Sequence, residues 1–292
     1  MIWLVGDKGM LGTEVRTGLE KQNSAWVGTD RDVDITDENA LQRFSSGKSI
    51  KWIVNCAAYT AVDKAEDEPQ IAHAINVKGP ENLARLATKI GAGIIHISTD
   101  YVFDGTARRP YREDDSIAPL GVYGLTKAHG EAMVRNHCLE SIILRSAWLF
   151  GRNGKNFVDT MIHLMRERNR VRVVCDQHGS PTYAVDLAHA ILSIISAGKR
   201  EFGLYNYTNE GETTWYDFAV SIHDEARAAG ILHNDCVIEP ISTHQYPTRA
   251  LRPAYSVLST DKIRQVYRLA IPDWRNSLHR YFMETPFCQE SA

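Results

Sequence analysis

The sequence predicts an α/β chain built on a parallel sheet with helices on both faces. Two observations carry that prediction. Through the first half, short continuous apolar runs alternate with segments of helical period, the order β-α-β-α that a doubly wound sheet requires. The first run ends in Gly6-Asp7-Lys8-Gly9-Met10-Leu11-Gly12, a glycine-rich turn that opens directly into an amphipathic segment.

Taken in order, Ile2–Val5 reads as the first strand, and Met10, Leu11, Val15 and Leu19 then recur at helical spacing. Ala25–Thr29 and Trp52–Cys56 read as the second and third strands, and residues 71–90 as one long helix carrying Ile75, Leu83, Leu86 and Ala87. Ile94–Ile97 reads as a fourth strand, Val122–Asn136 as a helix and Ile142–Leu144 as a fifth strand. The second half is less regular. Phe157–Arg168 looks helical, Val171–Val174 is a short strand, Val185–Ala197 is an apolar helix and Leu204–Tyr207 is strand-like. Thr213 or Thr214 can cap a helix bearing Trp215, Phe218, Ala219 and Ile222, and Pro240–Pro253 is loop-rich. With no low-complexity linker, this predicts residues 1–146 as a cofactor-binding domain and 147–292 as a smaller, closely packed α/β substrate domain. The chain returns to the first unit around 169–209.

Glycines in the first turn let backbone N–H groups approach a pyrophosphate at a helix N-terminus, which makes Gly6, Lys8, Gly9, Met10, Leu11 and Gly12 cofactor candidates. The spacing is G-x-x-G-x-x-G rather than G-x-G-x-x-G. Asp30, at the end of the second strand, stands where an acid binds adenosine ribose hydroxyls, whereas Arg31 and Lys8 are placed to meet a 2′-phosphate. NADH and NADPH therefore both stand. Asp34 and Ile35 are candidates to flank the adenine, and Ala57, Ala58 and Tyr59, after the third strand, to line the ring or ribose.

Tyr123-Gly124-Leu125-Thr126-Lys127 is the second chemical signal. A Tyr and a Lys four apart share one helix face, and a nearby ammonium favours phenolate. Thr99, closing the fourth apolar run, offers a hydroxyl for a carbonyl oxygen. This set suits moving a proton while a dinucleotide exchanges hydride with the same carbon.

Together with Asn55-Cys56-Ala57-Ala58, Asn76-Val77 and Ser98-Thr99-Asp100, these motifs resemble the extended short-chain dehydrogenase/reductase family. Its nucleotide-sugar reductases are resembled most specifically, through residues 57–66, 98–105, Gly179-Ser180-Pro181-Thr182 and Arg252-Pro253-Ala254-Tyr255-Ser256. The resemblance implies a Rossmann-type fold, Thr99, Tyr123 and Lys127 as catalytic residues, and NADPH or NADH as cofactor. Tyr123 would protonate the C4 oxygen of a keto sugar. Lys127 would lower the Tyr123 pKa and hold the nicotinamide ribose, and Thr99 would bind the substrate oxygen. The implied reaction reduces dTDP-4-dehydro-L-rhamnose to dTDP-L-rhamnose. Tyr101, Val102, Phe103 and Trp148 are candidates for the sugar pocket, and Asn156 and Arg252 for the diphosphate.

Single positions separate the chain from other members of the fold. The 4,6-dehydratases carry Glu after Ser-Thr-Asp, and here Tyr101 stands there, which favours reduction over water elimination. Epimerases of the family share the hydride chemistry. A partner-binding subunit, such as the regulatory subunit of methionine adenosyltransferase, shares the fold without establishing activity. Some relatives bind magnesium at a dimer interface through a carboxylate soon after Pro-Thr. Here the acid comes only at Asp186, so no metal is expected, and monomer and homodimer both stand.

Composition narrows the classes further. A net charge of −3, from 33 basic and 36 acidic residues, argues against a nucleic-acid surface. No apolar stretch reaches a membrane span, and the N-terminal run is too short for a signal sequence. Cys56, Cys138, Cys175, Cys236 and Cys288 are scattered, which predicts reduced thiols and a cytoplasmic protein.

Overall fold

Apolar strands with no polar face can be stable only if both faces are covered, and the computed structural model, which describes residues 1–198 and 201–285, covers them. Six strands form the main sheet: β1 (Ile2–Val5), β2 (Trp26–Thr29), β3 (Trp52–Asn55), β4 (Gly93–Thr99), β5 (Ser141–Ser146) and β6 (Gly203–Asn206). All pair in parallel, in the spatial order β6-β5-β4-β3-β1-β2. The chain leaves β1 to one side for β2 and resumes on the other side with β3. This reversal opens a crevice at the carboxyl ends of β1 and β3, where doubly wound sheets bind ligands.

Among the helices that cover the sheet are α1 (Met10–Lys21), α2 (Gly79–Ile90), α3 (Val122–His137) and α4 (Ala184–Ser196). Leu11, Val15 and Leu19 of α1 pack with Leu187, Ala188 and Ile191 of α4 and with Leu4 and Val54 on one face. Leu83, Leu86 and Ala87 of α2 pack with Trp3, Ile53, Ile94 and Val134 on the other. A second cluster gathers Phe150, Met161, Val171, Tyr183, Phe218, Trp274 and Tyr281 away from the sheet.

The helix expected over 71–90 is interrupted. Pro69–His73 is α-helical, Ala74–Lys78 widens into a π turn, and α2 starts at Gly79. Pro80 supplies a physical reason: it has no N–H to donate, and its ring clashes with the carbonyl one turn back. Arg170–Val174 pairs with Val237–Ile241, whose last two residues fall in the region read as loop, and its Val171 and Val173 belong to the second cluster. The sheet-side return begins at α4 and is completed by β6. Ile263, Tyr267 and Ile271 then come back to the first core.

Cys56, Cys138, Cys175 and Cys236 are free thiols, and Cys288 lies outside the described residues. No helix among the described residues is long and apolar enough to cross a membrane.

Candidate active site

The crevice is built by glycine first. Gly6 has φ +78°, and a Cβ on it would lie 2.8 Å from the Ala57 nitrogen, so the turns after β1 and β3 touch. A Cβ on Gly12 would lie 1.9 Å from the Gly6 oxygen, which leaves no room for any side chain. Gly9 caps α1 without a side-chain hydrogen bond, leaving the first N–H groups of the helix for a ligand. This cradle fits a dinucleotide pyrophosphate. Lys8 is exposed beside it, while Leu11 points into the core, so only its backbone can face a phosphate.

At the end of β2, Asp30 is half-buried and Arg31 exposed. Asp34 is exposed, and its carboxylate accepts from the backbone and hydroxyl of Thr36. Ile35 packs in the core, where a Cβ on Gly79 would meet it at 2.4 Å, so its side chain does not face the open crevice. Ala57 and Ala58 are half-buried after β3. Tyr59 is fixed by Asn76: its N–H donates to Asn76 Oδ1 at 2.8 Å, and its carbonyl accepts from Asn76 Nδ2 at 3.1 Å. Asn76 sits in the π turn and also donates to the Thr126 hydroxyl at 3.2 Å.

Thr99 closes β4, and α3 presents Tyr123 and Lys127 to it. The Thr99 hydroxyl donates to Asp100 Oδ1 at 3.0 Å, accepts from the Tyr101 N–H at 3.2 Å and lies beside the Tyr123 phenol. Burial pushes the Tyr123 phenol up to about 12, with the Asp100 charge adding and the Thr99 hydrogen bond opposing. Lys127 is 2% exposed, and its Nζ donates to the Ile97 carbonyl at 2.6 Å. Burial pulls its ammonium down to about 8, opposed by Glu131 and Cys56. The phenol therefore answers to burial, Asp100 and Thr99 rather than to an ammonium that lowers its pKa. Burial also raises Asp100 to about 6, against the pull of the Ser256 and Thr99 hydroxyls.

The amino end of α3 is capped from a distance. Glu66 Oε1 accepts from the Val122 N–H at 2.8 Å, a carboxylate at the positive end of the helix. Residues 61–68 are tied in turn to the C-terminal loop, through Arg252–Asp63 at 2.7 Å and Arg249–Asp67 at 2.5 Å.

The sugar-pocket candidates divide. Tyr101 meets the Tyr123 ring edge-on at 5.7 Å. Trp148, with φ +45°, stacks on Trp215 at 3.5 Å. A Cβ on Gly179 would lie 2.4 Å from the Trp148 indole, so the glycine of Gly-Ser-Pro-Thr is a seat for that ring. Val102 and Phe103 are fully buried, and Phe103 is stacked on Tyr111 at 4.1 Å, so neither lines a pocket. Asn156 is a helix cap: its Oδ1 accepts from the Asp159 N–H at 3.1 Å, and its Nδ2 donates to the Gly151 carbonyl at 2.8 Å. It is committed to the fold rather than to a diphosphate. Arg252 already holds Asp63, and a phosphate would have to share or displace that partner.

Asp186 accepts from Asn209, Ser277 and Arg280, and Glu14 from Arg152 and Asn153. Among the described residues no group of three or more His, Cys, Asp or Glu is placed to hold a metal ion. Sequence reasoning gave no individual role to Asn76, Glu66, Asp63, Glu131 or Arg145. The first four lie in or beside the quoted motifs, but each acts on a distant stretch of chain.

A family profile described as RmlD substrate binding domain matches residues 1–286. The chain belongs to the RmlD, dTDP-4-dehydrorhamnose reductase, family. It is 42% identical to the dTDP-4-dehydrorhamnose reductase of Aggregatibacter actinomycetemcomitans over 251 residues, 85% of each chain. To that of Escherichia coli K12 it is 39% identical over 97% of each chain. The crystal structure of a dTDP-4-dehydrorhamnose reductase from Clostridium acetobutylicum superposes with a TM-score of 0.91 at 40% identity, covering 97% of this chain and 98% of that one. That of Bacillus anthracis, solved in complex with NADP, does so with a TM-score of 0.92 at 35% identity, covering 97% and 99%.

Proposed function

We propose that this chain catalyses NAD(P)H-dependent reduction of the C4 keto group of dTDP-4-dehydro-L-rhamnose to dTDP-L-rhamnose, with Thr99, Tyr123 and Lys127 carrying the chemistry. The convergence of these three side chains at the carboxyl end of β4, beside a turn that only glycine can form, carries the reading. The bound dinucleotide supplies the hydride. The chain's residues do the rest. Gly9 and the first turn of α1 hold the pyrophosphate, and Asp30, Arg31 and Lys8 face the adenosine end. With its phenol at about 12, Tyr123 is protonated at neutral pH and is the donor to the C4 oxygen. The Thr99 hydroxyl turns from Asp100 to hold that oxygen, and Lys127 places its charge beside the ribose and the phenol. Tyr101 and Trp148 stand beside the sugar, and Arg252 beside the diphosphate.

Turnover of a dTDP-4-keto sugar with NADH and with NADPH, the product identified by NMR, tests the activity. Tyr123→Phe is expected to keep cofactor binding and to lower turnover by a factor on the order of 10² or more, the usual contribution of general acid catalysis. Near-parental turnover in that variant would remove Tyr123 from the mechanism. Cofactor binding without any oxidation on adding keto sugar would instead make the chain a binding protein.

A further inference from the structure

Tyr123, Lys127 and Glu131 occupy successive turns of α3 and so lie along one stripe. The Glu131 carboxylate is 4% exposed and locked. Its Oε1 accepts from the Ser98 hydroxyl at 2.5 Å and from Arg145 Nε at 2.9 Å, and its Oε2 from Arg145 Nη2 at 2.7 Å. A buried ion pair is a poor source of stability, because desolvation offsets its attraction and an apolar pair often serves as well. We infer that Glu131 is a positioning residue for Lys127: clamped by Arg145 and Ser98 one turn further along α3, it keeps charged the buried ammonium that the Ile97 carbonyl holds in place for the cofactor ribose and Tyr123. The inference rests on the role given to Lys127 above.

The groups facing Lys127 from each packed element support it. On α3 they are Tyr123 and Glu131. From β4 comes His96, buried and held well below its ordinary pKa, hence neutral. Cys56, just after β3, has its thiol pushed up to about 12 and is neutral too. Asn55 and Asn76 carry no charge, Arg145 on β5 is bound to Glu131, and Asp100 stands beyond Tyr123. Among these groups Glu131 is the full negative charge that raises Lys127 against burial. Besides holding Glu131, the Arg145 guanidinium lies 5.0 Å from the Phe103 ring centroid and 3.5 Å from the Glu113 carbonyl.

The test is the pH dependence of cofactor dissociation constants and of kcat/KM. Tyr123 titrates too high to set the alkaline limb, which then belongs to Lys127. Glu131→Gln is expected to move that limb at least one pH unit toward acid, with roughly a tenfold loss of kcat/KM at pH 8.5 and little change at pH 6.5. Glu131→Asp, which keeps the charge, should recover most of the shift. Because Gln leaves Arg145 unpaired in the interior, the double variant Glu131→Gln/Arg145→Met guards against misfolding and should show the limb displaced in the same direction by a smaller amount. A folded variant with the parental limb overturns the inference. So does a double variant that does not fold, since Glu131 would then be structural. Lys127→Met separates the two readings. If it changes neither the profile nor cofactor affinity, the role of Lys127 fails. If it abolishes the limb while Glu131→Gln leaves it in place, only the role of Glu131 fails.

Discussion

Asp100 is a charge the fold would rather not carry, and replacing it by Asn should stabilise the protein in a pH-dependent way. The residue is 1% exposed, its Oδ2 is buried without a hydrogen-bond partner, and its carboxyl titrates at about 6 against an ordinary 3.8. The distance from 3.8 to about 6, at about 1.36 kcal/mol for each pH unit, comes to about 3 kcal/mol. The sign follows from which form the folded state prefers. Above about pH 6 the group is charged whether the chain is folded or not, and the folded state bears the whole burial cost. Below about pH 4 it is neutral in both, and the cost is gone. Asn keeps the shape without the charge, so Asp100→Asn should gain up to about 3 kcal/mol at pH 8, fading to nothing near pH 4. In a chain of this size that is several degrees in Tm, at roughly 2 °C for each kcal/mol. Thermal and urea unfolding across pH 4 to 8 read it directly. An Asn variant less stable than the parent at pH 8, by an amount that does not change toward pH 4, would show that the Asp100 charge is compensated and that the reasoning is mistaken. A stabilising substitution beside Tyr123 would also mark Asp100 as kept for what its charge does at the site.

Two further outcomes test the cofactor cradle. If Arg31 meets a 2′-phosphate and Asp30 the ribose hydroxyls, Arg31→Ala should weaken NADPH and spare NADH, and Asp30→Ala should weaken NADH more. Equal losses in a fluorescence titration of both cofactors would refute that division. Gly12→Ala should lose cofactor affinity at least tenfold while the chain still folds, because its Cβ would lie 1.9 Å from the Gly6 oxygen and only the turn can move. Unaltered affinity by calorimetry would show that the turn does not cradle the pyrophosphate.

The parts of the fold written in local pattern were legible. Ile2–Val5 and the turn at Gly6, Gly9 and Gly12 carry their structure in neighbouring residues, and the parallel pairing follows from alternation of strand and helix. What was hidden depends on distant partners. Nothing near Pro240 signals a strand, because its pairing partner is Arg170–Val174. Val102 and Phe103 follow Thr99 in sequence, yet the strand end turns them under Tyr111 and away from the sugar side. Asn156 has a polar side chain suited to phosphate, and its three-residue spacing to Asp159 is a helix start, a competing local use that won. The Tyr-Lys spacing was visible, but the shift of both groups was not, since burial rather than their mutual attraction governs each.

Trp148 and Trp215 lie with ring planes 10° apart, one after β5 and the other at the start of the helix Trp215–Ala228. Two indoles so close share their excited states, and each quenches the other's emission. The molecule thus carries its own optical gauge where the end of β5 meets that helix. Whatever slides against Trp148 will separate or tilt the pair, and the change will be visible as altered near-ultraviolet circular dichroism and recovered fluorescence, with no label attached.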